Sequence, residues 1–256
     1  MYSGEQYSQG NTGSNSANSY KEFDPAAYLA EYYSSLGSEN QMLLEFYHEV
    51  YSQLPGELEI LEFGGGPTLY QLASASAKAR SITFAEYLPQ NRRAVKLWRD
   101  MRSRHDWSEF FMMTAALEGH HNSALIEQRL RAKLAEIIPC DAKDPTLKLE
   151  PLQRFDLVSS AFCLECIGNS WKEFEQAVER ICDRVRPGGH LVISALENAQ
   201  DYVVGSALFP AVPVKTEHLL ELLARYQLSP ILSRRQSAEH QQGYTGIISV
   251  LARRDT

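Results

Sequence analysis

The sequence predicts an α/β fold: one domain on a mostly parallel sheet, with helices crossing between strands and N-terminal helices laid over it. Three observations lead there. Leu58–Phe63 (LEILEF) is a short apolar run cut off by Gly64-Gly65-Gly66, as a strand buried on both faces should be. Strand-like and helix-like segments then alternate along the chain, which implies parallel strands joined by crossover helices. The chain has 256 residues, 44% of them apolar and 22% charged. That suffices for a substantial core without disulfide or metal staples.

The elements follow in order. Residues 1–20 are Ser-, Asn-, Gly- and Tyr-rich with almost no aliphatic content, and are expected to form a disordered tail. They lack the apolar core of a secretory signal. Asp24-Pro25 reads as an N-cap followed by proline at the first helical position. Tyr28, Leu29, Tyr32 and Tyr33 continue at helical spacing, and a second helix is expected over Glu39–Leu54. Residues 21–55 thus form a helical cap on a domain spanning 21–256. After the strand Leu58–Phe63, the spacing predicts a helix over Thr68–Ala77, a strand over Ser81–Ala85 and a helix over Gln90–Arg102. Trp107–Ile138 reads as mainly helical, anchored by Leu125, Leu130 and Leu134. Phe155–Ala161 reads as a strand, Trp171–Val185 as an amphipathic helix, Arg186–Gly189 as a turn and Leu191–Leu196 as a strand. A helix near Glu217–Tyr226 and a closing strand over Tyr244–Leu251 complete the reading.

Composition excludes several function classes. There are 32 acidic against 25 basic residues, a net charge of −7, and no basic block of the kind that binds nucleic acid or anionic membrane. No stretch approaches the ~20 apolar residues that span a bilayer. The four cysteines, Cys140, Cys163, Cys166 and Cys182, are too sparse for a disulfide framework. Cys163 and Cys166 form a C-x-x-C, but no second pair or spaced histidines accompany it, so no metal site is expected. Small buried thiols in a reducing cytoplasm are preferred over a redox pair.

The glycine turn carries the chemistry. Gly64-Gly65-Gly66-Pro67-Thr68 ends a strand, where glycines allow a sharp turn and close ligand approach. Glu86 stands 22 positions after Gly64, at the end of the next strand, where a carboxylate can accept from both hydroxyls of a ribose. The pair suggests an adenosine-bearing ligand; a plain tight turn is the alternative. Leu69 occupies the place of the third glycine in a dinucleotide fingerprint. Pro67 removes a backbone donor that a pyrophosphate would use, and no lysine follows to make a P-loop. A phosphate-free ligand, S-adenosylmethionine, fits these departures better than NAD.

Seven blocks resemble one methyltransferase family, that of nicotinamide, phenylethanolamine and indolethylamine N-methyltransferases and thioether S-methyltransferase. They are Phe23–Tyr33 (FDPAAYLAEYY), Gly64–Leu72 (GGGPTLYQL), Glu86-Tyr87 with Gln90-Asn91, Leu117-Glu118-Gly119, Cys140-Asp141, Ser160–Glu165 (SAFCLE) and Arg186–Leu191 (RPGGHL). The last two look closest to the phenylethanolamine branch. The resemblance spans roughly residues 20–252. It implies a Rossmann-like class I methyltransferase fold with a seven-stranded sheet, S-adenosylmethionine as methyl donor and S-adenosylhomocysteine as product. It places Tyr28, Tyr33, Gly64, Gly65, Gly66, Thr68, Tyr70, Glu86, Tyr87, Asn91, Asp141, Ala142 and Ala161 around the cofactor. Tyr28, Tyr32, Phe162, Glu165 and Tyr202 would face the acceptor. Glu165 is the first candidate for the base and Glu197 the second. Ala161 stands where several members have threonine, and Ala195 and Ala199 depart from nicotinamide-type members. The expected acceptor is therefore an aryl- or indolyl-ethylamine-like small molecule rather than nicotinamide. Sulfur, heteroaromatic-nitrogen and carbon nucleophiles are the alternatives, together with a non-catalytic ligand-binding relative. A cytoplasmic monomer or weak homodimer, with no nucleic-acid or membrane partner, is expected.

Overall fold

The computed structural model describes residues 20–238 and 243–256. The expected tail lies outside them, except for its last residue, Tyr20, which packs with its ring centroid 5.4 Å from that of Phe209. Strands β1 (Leu58–Phe63), β2 (Ala79–Glu86), β3 (Leu134–Pro139), β4 (Phe155–Ala161), β5 (Val185–Glu197), β8 (Leu228–Ser237) and β9 (Gly246–Arg254) form one sheet in the order β3-β2-β1-β4-β5-β9-β8. The pairs from β3 to β5 are parallel, and β9 runs antiparallel between β5 and β8. Strands β6 (Asp201–Val204) and β7 (Ala207–Pro210) make a separate hairpin. This is the Rossmann-like arrangement expected.

Alternation along the central strands divides the core. Ile60, Leu157, Val192 and Leu251 pack into one apolar cluster, while Leu61, Val158, Leu191, Ile193 and Val250 pack into the other. Successive side chains leave a strand on opposite faces, so both faces are covered. Helices α1 (Pro25–Tyr32), α2 (Gly37–Gln53), α3 (Pro89–Arg99), α4 (Ser108–Leu117) and α5 (Ser123–Lys133) supply the first cluster. Helices α6 (Trp171–Cys182) and α7 (Thr216–Arg225) supply the second. Local chemistry sets several starts. Asp24 caps α1 by accepting from Ala26 N–H at 2.9 Å, and Ser170 caps α6 by accepting from Glu173 N–H at 3.3 Å. A buried polar chain fixes α2 on the sheet: the Tyr47 hydroxyl donates to Ser194 Oγ at 2.9 Å, which lies 3.0 Å from Ser249 Oγ.

Three expectations are corrected. Thr68–Ala77 is two short 3₁₀ turns, Tyr70–Leu72 and Ala75–Ala77, rather than a helix. Ser76 bonds back to the Ala73 carbonyl at 2.6 Å, competing with a regular ladder. The stretch Trp107–Ile138 breaks at Asn122, which caps α5, and Leu134 opens the edge strand β3 instead of anchoring a helix. Its charged, half-exposed face hid the strand. Arg186–Gly189 is not a free turn: β5 runs through it, and the register steps from Phe155↔Val185 to Leu157↔His190, so the turn residues bulge out of the ladder. Finally, β8 and the β6–β7 hairpin were not anticipated.

Candidate active site

Strand order reverses between the parallel strands β1 and β4: β2 and β3 extend the sheet one way, β4 and β5 the other. Ligands of open α/β sheets bind at this switch point, beyond the carboxyl ends of the strands. A cavity of about 440 Å³ lies there. Its lining follows the strand order. Asp141 comes after β3, Glu86 ends β2, Gly64 follows β1, Ala161 ends β4, Leu196 belongs to the end of β5 and Ile247 to the start of β9.

The glycine turn is shaped by its surroundings. Gly64 has φ +68°, and a Cβ there would collide with Cys163 Sγ. A Cβ on Gly65 would sit 2.7 Å from the Phe84 ring and 3.0 Å from Glu62 Oε1. Gly66 (φ +61°) would place a Cβ in open space, so its need for glycine is conformational alone. Glu86 is buried and fastened to this turn. Its Oε2 accepts from Gly66 N–H at 3.0 Å, and its Oε1 from Leu88 N–H at 2.8 Å and Asn91 Nδ2 at 3.1 Å. Burial raises its carboxyl above the ordinary range, opposed by those donors. Tyr87 is 45% exposed and lines the cavity with Asn91, Asp141 and Ala142. Arg180 donates to the Ala142 carbonyl, and Lys143 pairs with Glu173 at 2.8 Å, which ties that loop to α6.

Aromatic rings cover the cavity. Tyr28 stacks obliquely between Tyr32 (centroids 5.2 Å) and Tyr33 (5.6 Å), and Tyr33 lies 5.2 Å from Tyr70. Desolvation raises the phenols of all four, so they remain neutral donors. The Tyr32 hydroxyl donates to the Val203 carbonyl at 2.7 Å, and Gly205 N–H to Glu31 at 3.2 Å, joining α1 to the β6–β7 hairpin. Tyr20 donates to the Cys166 carbonyl and, with Phe23, packs on Phe209.

Most residues singled out in the sequence come together. Tyr28, Tyr32, Tyr33, Gly64, Gly65, Gly66, Thr68, Glu86, Tyr87, Asn91, Asp141, Ala142, Ala161, Phe162 and Tyr202 line the cavity. Phe162 does so with φ 52°, an unusual conformation for a non-glycine residue at a site. Three others do not line it. Tyr70 is buried behind Tyr33. Glu165 is fully buried behind the wall formed by Cys166 and Leu196; its Oε1 accepts from Leu196 N–H at 2.8 Å, and burial pushes its carboxyl up to about 7. Glu197 faces Arg235, whose Nε lies 2.8 Å from Oε2, and it also accepts from Thr245 at 2.9 Å. Arg235 holds the Glu197 carboxyl below the ordinary range. That ion pair removes Glu197 from the role of free base. Sequence reading missed Tyr20, Phe23, Glu39 and Tyr244, all of which line the cavity; the first two sit in the same aromatic N-terminal segment as Tyr28, a usable signal. All four cysteines are free, and no metal cluster occurs among the described residues.

The profile of the NNMT/PNMT/TEMT family matches residues 13–255. The chain belongs to this family. Phenylethanolamine N-methyltransferase of Sus scrofa is 35% identical over 223 residues, 80% of this chain and 77% of that protein. Indolethylamine N-methyltransferase of Mus musculus is 30% identical over 207 residues, 77% and 78% of the two chains. Among solved structures, 1,6-didemethyltoxoflavin-N1-methyltransferase of Burkholderia thailandensis has a TM-score of 0.54 at 16% identity, covering 94% of this chain and 89% of that one, a likeness of fold. This member of the NNMT/PNMT/TEMT family is an S-adenosylmethionine-dependent methyltransferase. The cavity suits that donor. Its described lining carries Glu39, Glu86 and Asp141 against a single cation, Lys143, an acidic surround for a sulfonium and a poor one for pyrophosphate.

Beneath the turn, Glu62 is fully buried, accepts from Gln71 Nε2 at 3.0 Å, and is pushed up to about 7 by desolvation. The folded state therefore favours its protonated form. The stability this lends is complete below the ordinary value of 4.5 and is lost as pH rises through about 7. Each tenfold bias is worth about 1.4 kcal/mol. Thermal melts of ligand-free enzyme across that window should show wild type losing more stability than Glu62→Gln. Parallel pH profiles for the two would place the titration elsewhere.

Proposed function

We propose that this enzyme methylates the nitrogen of a small aryl- or indolyl-ethylamine-like molecule. The carrying observation is the character of the cavity beyond the glycine turn. Tyr32, Phe162, Tyr202 and Tyr244 wall it, and its only described cation, Lys143, lies at the opposite, Asp141 end. An aromatic, cation-free chamber favours an aromatic ammonium. The relatives named above act on amines of this kind by their names.

S-adenosylmethionine supplies a methyl group on a cationic sulfur. In this reading Glu86 accepts the ribose hydroxyls, while Tyr87, Asn91, Asp141 and Ala142 flank the adenosine. Gly64, Gly65, Gly66, Thr68, Tyr28, Tyr33 and Ala161 enclose the amino-acid end, with Tyr70 backing Tyr33. Tyr28, Tyr32 and Tyr33 exclude water and hold the nucleophile in line with the methyl carbon, so positioning supplies most of the acceleration. A primary amine, with a pKa near ~10.4 in water, must lose a proton before attack. Glu165 is the proposed destination of that proton, reached by way of water because Cys166 and Leu196 stand between it and the cavity; burial pushes its carboxyl up to about 7, the range suited to general base work at neutral pH. The same reading takes residues 21–256 as the methyltransferase unit of a cytoplasmic monomer or weak homodimer without nucleic-acid or membrane partners. Among the described residues no helix is long and apolar enough to cross a membrane.

Two measurements test this. Calorimetry should show Glu86→Gln and Glu86→Ala binding S-adenosylmethionine roughly tenfold or more weaker, the worth of a hydrogen bond to a charged group; unchanged affinity would remove Glu86 from the ribose. A methyl-transfer screen over arylethylamines, azaarenes, thiols and phenolic amino acids should single out the amines. With the best amine, Glu165→Gln should lower kcat more than it weakens cofactor binding. Methylation of thiols alone, or no turnover at all, would contradict the amine reading.

A further inference from the structure

The acceptor half of the cavity contains a carboxylate that belongs neither to the glycine turn nor to the segments after β4 and β5. Glu39 lies in the first turn of α2 and lines the cavity, and its Oε2 accepts from the Tyr244 hydroxyl at 2.7 Å. Tyr244 lines the cavity too, just before β9. The helix that carries Glu39 is held in place by further contacts. The Tyr47–Ser194–Ser249 chain fixes α2 over β5 and β9, and Asn40, beside Glu39, donates to the Tyr32 carbonyl at 3.2 Å.

Strand order gives the distance scale. Strands lie about 4.8 Å apart, so the start of β9 stands roughly 10 Å from the end of β4 and some 19 Å from Glu86 at the end of β2. Glu39 and Tyr244 are therefore remote from the ribose end. On the same scale the start of β9 stands about 10 Å from Ala161 and about 14 Å from the glycine turn, which leaves room for an extended arylethylamine between Ala161 and the Glu39–Tyr244 pair. The space between is bounded by Phe162, Leu196 and Ile247, which offer a ring flat apolar contact and no polar partner.

Building on the amine reading, we infer that Glu39, oriented by Tyr244, is a specificity-determining residue that receives a ring-borne O–H or N–H at the far end of the acceptor, while the nitrogen to be methylated sits near the end of β4. A carboxylate offers about four lone-pair sites, so the Tyr244 contact does not exhaust its acceptor capacity. Burial and the neighbouring Glu39 raise the Tyr244 phenol, which keeps it a donor and keeps the carboxylate aimed. A site built to hydrogen-bond a substrate donor discriminates strongly against the analogue that lacks it, because its own polar groups are then left without partners.

The test compares tyramine with phenethylamine, and tryptamine with 1-methyltryptamine, by kcat/KM and by calorimetric binding to enzyme loaded with S-adenosylhomocysteine. Wild type should favour the donor-bearing member of at least one pair by roughly tenfold or more, the worth of one hydrogen bond to a charged group. Tyramine preference would identify a phenolic acceptor and tryptamine preference an indolic one. Glu39→Ala should lose most of that preference, and Tyr244→Phe part of it, with both variants melting cooperatively. Equal handling of donor-bearing and donor-free amines by wild type would overturn the inference while leaving the amine reading intact. So would an equal loss on both members of a pair in Glu39→Ala. If wild type neither binds nor methylates any of the four, the amine reading fails and this inference with it.

Discussion

The Glu86 carboxylate, fastened to Gly66 N–H on one side and to Leu88 N–H and Asn91 on the other, is the contact on which the rest of the site depends. A buried carboxylate is tolerated only when its lone pairs are occupied. Here the partners are the glycine turn after β1 and the start of α3 after β2. One side chain thereby sets the spacing between two adjacent strand ends. The turn itself cannot relax: Cys163 stands over Gly64, Phe84 and Glu62 lie under Gly65, and Gly64 and Gly66 both take positive φ. The result is a rigid cradle without a phosphate nest.

The aromatic cover is a second, looser layer. Tyr20, Phe23 and Tyr202 meet on Phe209, a residue of the β6–β7 hairpin, and α1 is tied to the same hairpin through Tyr32 and Glu31. These contacts join the N-terminal segment to the hairpin after β5, neither of which belongs to the main sheet. A cover built from stacked rings and a few hydrogen bonds exposes little backbone and excludes water. It also has far fewer buried contacts than the sheet, as expected of the part that admits a substrate. In the proposed reading, acceptor choice falls to the far wall near β9, which Tyr244 and Ile247 line.

Legibility in the sequence followed the range of the interaction that decided each feature. The glycine turn, β1 and the cap at Asp24 are local, and each has the place its residues suggested. The two edge strands did not announce themselves. In β3 a helix runs into Leu134 with no breaker between them, and Glu136 reads as helical. In β8, Pro230 and two successive arginines mask the strand, although Arg234 pairs with Glu49 of α2 and Arg235 with Glu197. Glu197 illustrates the limit most sharply. Its neighbours in sequence suggested a catalytic carboxylate, but Arg235, 38 residues away on β8, occupies it. Glu39 was passed over for the complementary reason, since nothing near it in sequence indicates that α2 would bring it to Tyr244, 205 residues away.

The direct test of the account is a crystal structure of the enzyme with S-adenosylhomocysteine. The account predicts ribose hydroxyls within hydrogen-bonding distance of Glu86, the adenine between Tyr87 and the Asp141-Ala142 loop, and the sulfur beyond Gly64 beneath Tyr28 and Tyr33. Density for the ligand in a different crevice, with Glu86 still bonded only to Gly66, Leu88 and Asn91, would contradict it.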